Sequence, residues 1–470
     1  MRQSSVITDL LNAITDPTSL FGDRRKPKRR SRDVLLAMIA AVLGGRGEAS
    51  SSERAAEFLR AYRDLDYAGR TFVFRKLAAK YGPDTAGLKR AAKAYLESAN
   101  QGTAKALQSA AEPRRVEVFR RLNQVKGGTQ ALVALRTELL ERLPNHPDLW
   151  VVDDDLRRLF NAWFNRGFLV LREIDWQTSA AILAKIIRYE AVHAINGWDD
   201  LRLRIDVPDR RLFGFFHPRL GDEPLIFVEV ALTQAIPSAI GPILAPDREP
   251  ISPTEATCAV FYSISNCQDG LRGISFGSFL IKQVARNLMK ELPNLKTFVT
   301  LSPVPEFARW LKEEASREGS GLDKSVTTIL DIIEANPDWL DDEATAKAAS
   351  AALIPLLAHY LTVARDARGR VVDPVARFHL GNGARLERLN FGADRSEQGL
   401  YRAHGFMVNY RYILEEVEKN HEAFLGEGLV VAASPIAKLA RQVKLTERTE
   451  PEVSPALPAP DQRVTEPAEN

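Results

Sequence analysis

Residues 256–311 read ATCAVFYSISNCQDGLRGISFGSFLIKQVARNLMKELPNLKTFVTLSPVPEFARWL, and the fold is decided there. Residues 258–265 are small or apolar in the manner of a buried strand. A turn containing Gly270, Gly273 and Gly277 follows. Across 276–292, Phe279, Leu280, Ile281, Val284, Leu288 and Met289 recur at helical spacing. Residues 297–301 form a short strand, and Ser302-Pro303 is expected to open another helix, since proline favours the first helical position. The order is strand, glycine-rich turn, helix, strand, helix.

Such a turn leaves backbone N–H groups free at a helix N-terminus, where the macrodipole favours an anion. Glycine lets the backbone itself approach a phosphate and permits positive φ. The spacing is not the dinucleotide fingerprint, and no Gly-Lys-Ser/Thr follows, so Rossmann and Walker A readings both fail. A pyrophosphate cradle of another kind and a purely structural turn both remain open on spacing alone.

Working outward, two runs at 211–216 and 225–232 are β-rich and read as an antiparallel hairpin leading to the central strand. Residues 178–189 and 321–367 read as helical, and 405–413 as a further strand. A mixed sheet with flanking helices is therefore expected. Ahead of it, 33–165 is almost wholly helical by pattern, with no repeat of constant period, which predicts a bundle rather than a solenoid. The fold class is α+β: an N-terminal all-α helical bundle domain (33–165), then a mixed β-sheet domain (166–445). A basic arm (1–32) precedes them, and a tail rich in Pro, Glu and Thr (446–470) is expected to be disordered.

Composition narrows the function classes. Of 470 residues, 45% are hydrophobic and 27% charged, the balance of a globular protein. The net charge of +3 gives no argument for nucleic acid, and the basic run at 23–32 interleaves no aromatic residue to stack on bases. That small positive balance still suits an anionic substrate. The longest apolar run, 34–43, is far short of the ~20 residues that span a bilayer. Only two cysteines occur, Cys258 and Cys267, which rules out a disulfide scaffold or four-cysteine zinc site and suits a reducing cytoplasm. Asp153, Asp154 and Asp155 cannot share one helical face and read as a charged first turn, not metal ligands. Glu190 and His193 form a single Glu-x-x-His pair, where a di-metal bundle needs two copies.

FYSISNCQDGLRGISFGSFLIK and TLSPVPEFARWL, with FVEVALT, FHLGNGARLERLN and MVNYRY, resemble the malonyl-CoA decarboxylase family in the family's own order, from about Trp163 to Glu416. That resemblance implies an acetyltransferase-like sheet domain, and malonyl-CoA as substrate. It places a catalytic serine at Ser302, a proton-donating histidine at His379 and a hydrogen-bonding tyrosine at Tyr412. It assigns coenzyme A binding to Arg272, Gly273, Ile274, Ser275, Phe276, Gly277 and Ser278. By residue reading alone Ser302 is equally a helix N-cap, and His379 a structural histidine; histidine suits proton donation because its ordinary pKa lies near working pH. Tyr410 is expected to alternate to the other face of its strand. At Ser275 some relatives have an acidic residue, so any role of that carboxylate in orienting the histidine does not carry over.

The chemistry implied needs neither biotin nor a metal ion, because a thioester is its own electron sink. No cofactor is therefore expected. The helical domain is expected to mediate a homo-oligomer. Two rivals are an N-acetyltransferase, since LYRAHGF at 400–406 resembles a segment of that superfamily with Tyr401 protonating the thiolate, and a non-catalytic acyl-CoA-binding protein.

Overall fold

The computed structural model describes residues 32–44, 48–274 and 279–446. The basic arm, the turn residues Ser275, Phe276, Gly277 and Ser278, and nearly all of the acidic tail lie outside these. The chain divides into two compact units: residues up to Trp163 together with Gln268–Ile274, and the remainder.

The first unit is helical. It comprises α1 (Arg32–Gly44), α2 (Glu48–Arg63), α3 (Tyr67–Lys80), α4 (Thr85–Glu97), α5 (Gln101–Ala111), α6 (Arg114–Gln124), α7 (Gly128–Arg142) and α8 (Trp150–Trp163). Its core is built from stripes of six of these helices: Ile39 and Val42, Phe58, Phe74, Phe119, Leu132 and Leu139, and Val152 with Phe160 are all buried, whereas α4 and α5 bury no residue. Side-chain caps start several helices. Asp66 accepts from Gly69 N–H, and Asn100 with Thr103 forms a reciprocal capping box. Inside, Arg115 pairs with Asp155 at 2.6 Å. Asp153, Asp154 and Asp155 each take an arginine and do not converge on one point.

The second unit contains, in chain order, β1 (Val170–Ile174), α9 (Ala180–Tyr189), α10 (Trp198–Ile205), β2 (Arg210–Phe216), β3 (Pro224–Thr233), α11 (Gly241–Leu244), β4 (Cys258–Asn266) and α12 (Phe279–Glu291). It continues with β5 (Thr297–Thr300), β6 (Ser302–Pro303), α13 (Phe307–Ser316), α14 (Lys324–Ala335), α15 (Glu343–Thr362), α16 (Pro374–Gly381), β7 (Arg385–Asn390), α17 (Glu397–Ala403), β8 (Met407–Arg411), α18 (Val417–Glu427) and α19 (Ser434–Ala440). The strands form one mixed sheet in the order β1-β2-β3-β4-β5-β8-β6, with β7 also paired to β8. β4 and β5 are parallel and the other pairs antiparallel. In β3 all but the last residue are buried, which reflects helices on both faces of the sheet. The helix expected to start at Ser302-Pro303 starts instead at Phe307. Ser302 and Pro303 pair with Val408 and Met407, because β8 offers that edge. Among the described residues no helix is long and apolar enough to cross a membrane.

Candidate active site

Ser302, His379 and Tyr412 meet. Ser302 sits on the two-residue strand β6 and is 5% exposed. Its Oγ lies 3.0 Å from His379 Nε2 and donates to Thr300 Oγ1 at 2.9 Å. No helix cap uses it. His379 is in the last turn of α16, whose start is held by the fully buried Asp373, accepting from the N–H groups of Val375 and Ala376. After the histidine the chain must stop and turn. Asn382 N–H closes on the carbonyls of Phe378 and His379, and Gly383 follows at φ +79°. A Cβ on Gly383 would stand 2.1 Å from Val417 O, so only glycine fits the Asn-Gly turn.

Tyr412 lies just past the end of β8. Its amide N–H donates to Phe298 O at 2.9 Å, and its hydroxyl lies 2.9 Å from His379 Nδ1. Tyr410 does not turn away from the site as expected. Its ring stacks on the His379 imidazole, centroids 4.6 Å apart and 23° between planes. Residues two apart on a strand share a face, so Tyr410 falls on the same side as Tyr412 and both reach the histidine; the expectation of opposite faces is corrected.

Among the described residues no charged side chain is hydrogen-bonded to Ser302, His379 or Tyr412, and the Asp373 carboxyl acts on the Tyr410 phenol. Burial alone pushes the His379 pKa down from 6.5 to about 3. The expectation of a histidine titrating near working pH is thereby corrected: the ring is neutral at pH 7, because nothing nearby stabilises a cation. Burial raises the Tyr412 and Tyr410 phenols well above their ordinary range. Thr300, fully buried at the end of β5, is a member that sequence reading missed; its only signal was a position two residues before Ser302 on the same stretch.

The described part of the glycine-rich turn, Gln268–Ile274, belongs to the helical unit. Asp269–Leu271 is one 3-10 turn. The Arg136 side chain, 2% exposed, donates to the carbonyls of Gly270 at 2.8 Å and Arg272 at 2.9 Å, and pairs with Asp153 at 2.7 Å. At Gly270 a Cβ would come within 2.0 Å of Val133 O, so the turn packs backbone to backbone on α7. Gly273 takes φ +75°, with nothing within 4 Å of where a Cβ would be; it is required by conformation, not by space. The Arg272 side chain is exposed beside Asp269 and Ile274 is buried. Tyr401, the residue an acetyltransferase would need, is 82% exposed. It borders an open groove of about 1080 Å³ with Leu330, Trp339 and Leu400.

Residues 167–451 match the family described as malonyl-CoA decarboxylase C-terminal domain, and residues 81–164 its N-terminal domain. The chain belongs to the malonyl-CoA decarboxylase family. A curated relative, the mitochondrial malonyl-CoA decarboxylase of Anser anser anser, is 34% identical over 426 residues, 83% of this chain and 84% of the relative. Among solved structures, malonyl-CoA decarboxylase from Rhodopseudomonas palustris is 54% identical with a TM-score of 0.84, covering 87% of this chain and 99% of that one. The Agrobacterium vitis enzyme is 51% identical with a TM-score of 0.82, covering 86% and 99%. Both units of this chain thus fall within the family, and three of the motifs that carried the resemblance supply Ser302, His379 and Tyr412.

Proposed function

We propose that this chain converts malonyl-CoA to acetyl-CoA and CO2, with Ser302, His379 and Tyr412 as the catalytic residues. The observation that carries the reading is the buried, charge-free line from the Tyr412 hydroxyl through both His379 nitrogens to Ser302. With the substrate carboxylate held perpendicular to the thioester plane, the breaking C–C bond feeds its electrons into the carbonyl, releasing CO2 and leaving an enolate. When substrate is bound, the Ser302 hydroxyl, which donates to Thr300 in the free protein, turns to the developing oxyanion. The enolate carbon takes the proton from His379 Nε2 while the Tyr412 hydroxyl hydrogen passes to Nδ1. Tyr412 then recovers a proton from water, so one solvent proton is consumed per turnover. A neutral imidazole suffices, because a thioester enolate carbon is a far stronger base than the imidazole anion.

The coenzyme A portion is the proposed ligand of residues 272–278, whose glycines suit the close approach of a pyrophosphate. Neither biotin nor a metal ion enters this scheme. The helical unit is proposed to hold a second copy of the chain, a state that sedimentation would read. Two free, buried cysteines fit the cytoplasm proposed as its compartment. The decisive experiment is incubation of purified protein with malonyl-CoA, in the presence of a chelator and avidin. Acetyl-CoA and CO2 in equal amounts are expected; no CO2, or loss of turnover with either additive, overturns the scheme.

A further inference from the structure

We propose that Thr300 is a positioning residue that dictates which nitrogen of His379 carries the proton. The functional consequence rests on the decarboxylase reading above; the tautomer itself follows from geometry. Thr300 Oγ1 accepts the backbone N–H of Tyr410 at 3.1 Å, and an amide cannot reverse its role. It also accepts the Ser302 hydroxyl at 2.9 Å. A hydroxyl oxygen offers two lone pairs, and here both are taken by donors.

Ser302 has one hydrogen, and it is committed to Thr300. Towards His379 Nε2, 3.0 Å away, Ser302 can therefore only accept, so Nε2 bears the proton. Nδ1 must then accept, and the Tyr412 hydroxyl at 2.9 Å is the donor. Polarity runs in one direction, Tyr412 to His379 to Ser302 to Thr300. It is anchored at its far end by the main chain of β8. The Thr300 carbonyl, which accepts from Asn409 Nδ2 at 2.8 Å, pins the same residue to that strand from its other side.

The direction matters because the opposite tautomer would show a lone pair to Ser302 and make the ring a base at that end. The carbon would then meet no proton on the histidine nitrogen next to Ser302. Thr300 touches no reacting atom in this scheme; it acts through Ser302.

The test uses full-length protein with 15N-labelled histidine, His379→Asn serving to assign the signal. In the parent protein and in Thr300→Ser, the proton is expected on Nε2. In Thr300→Val, which keeps the shape and removes the acceptor, Ser302 is free to donate to Nε2, and the ring should shift wholly or partly to the Nδ1–H form. Its kcat should fall at least about tenfold, short of the roughly 10²–10⁴-fold expected for losing the general acid, with KM changed much less. Thr300→Ser should restore kcat.

An Nδ1–H ring in the parent protein overturns the proposal, and so does a folded Thr300→Val with an unchanged tautomer and unchanged kcat. If Thr300→Val fails to fold, the parent tautomer still decides. A parent protein with the Nε2–H ring but no CO2 release leaves the tautomer standing and removes the decarboxylase reading instead.

Discussion

The line from Tyr412 to Thr300 and the network around Glu229 are both buried in the sheet unit, yet they hold their titratable groups in opposite ways. In the network, Arg204 reaches Asp200 at 3.0 Å and Glu229 at 3.3 Å. Glu190, which follows α9, accepts the hydroxyls of Ser263 and Ser265 and the N–H groups of Val192 and His193. Burial, then the negative charge of Glu190, pushes the Glu229 pKa up to about 8 against the pull of Arg204. Charges there are bound to counter-charges, so moving a proton would unbalance several groups at once. Around His379 burial alone sets the shift, and among the described residues no counter-charge contacts the ring. A buried neutral ring with a hydroxyl at each end can pass a proton along; a buried ion network is better suited to holding strands and helices in place.

The contrast can be broken most directly by chemistry. His379→Asn keeps much of the shape and removes the proton donor, so kcat should fall on the order of 10²–10⁴-fold with a smaller change in KM. Ser302→Ala should also lower kcat, through the lost oxyanion donor. CO2 release from folded variants measures both. Normal turnover in His379→Asn would remove the line from catalysis.

In the other cluster the expected effect is on stability. Arg204→Met leaves buried acids without their cation and should cost about 3–5 kcal/mol, measured by chemical denaturation. Glu229→Gln should cost far less, since burial raises that carboxyl's pKa, which weakens its hold on a charge near neutral pH, and the amide preserves its shape. Equal costs for the two substitutions would contradict the charge assignment.

The two clusters also predict opposite pH slopes. Glu229 has a folded pKa raised from 4.5 to about 8, so its stabilising contribution is full below the unfolded value and is lost as pH rises through about 8. His379 has a folded pKa lowered from 6.5 to about 3, so its contribution is full above 6.5 and is lost as pH falls towards about 3. Denaturation midpoints across this range should show the alkaline slope flattened by Glu229→Gln and the acid slope flattened by His379→Asn. Unaltered slopes in both variants would defeat the argument from burial.

Smaller effects lie outside both clusters. Gly273→Val forces a branched side chain into φ +75° and should raise KM for malonyl-CoA while leaving kcat close to the parent value. An unchanged KM would move the coenzyme A site elsewhere. Tyr401→Phe should change neither constant, because that ring is exposed on α17 and the reaction releases no thiolate. A severe Tyr401 defect would favour an acetyltransferase.

By itself the sequence determined the order of elements around the glycine-rich turn and, through motif resemblance, singled out Ser302, His379 and Tyr412, three side chains that the fold brings together. Hydrophobic period and short motifs are local properties, and both are written along the chain. The start of α13 and the part played by Thr300 were not legible, because each depends on a partner far away in sequence; the Asp373 cap and the shared face of Tyr410 and Tyr412 are local and could have been read. Ser302 leaves its expected helix because β8 supplies a strand edge. Glu190 was set aside as an isolated half-motif, whereas its partners Ser263 and Ser265 come from β4. Only the tertiary structure decided protonation: a histidine titrates near neutrality in water, and the His379 ring is kept neutral because the folded chain removes water without providing a charge.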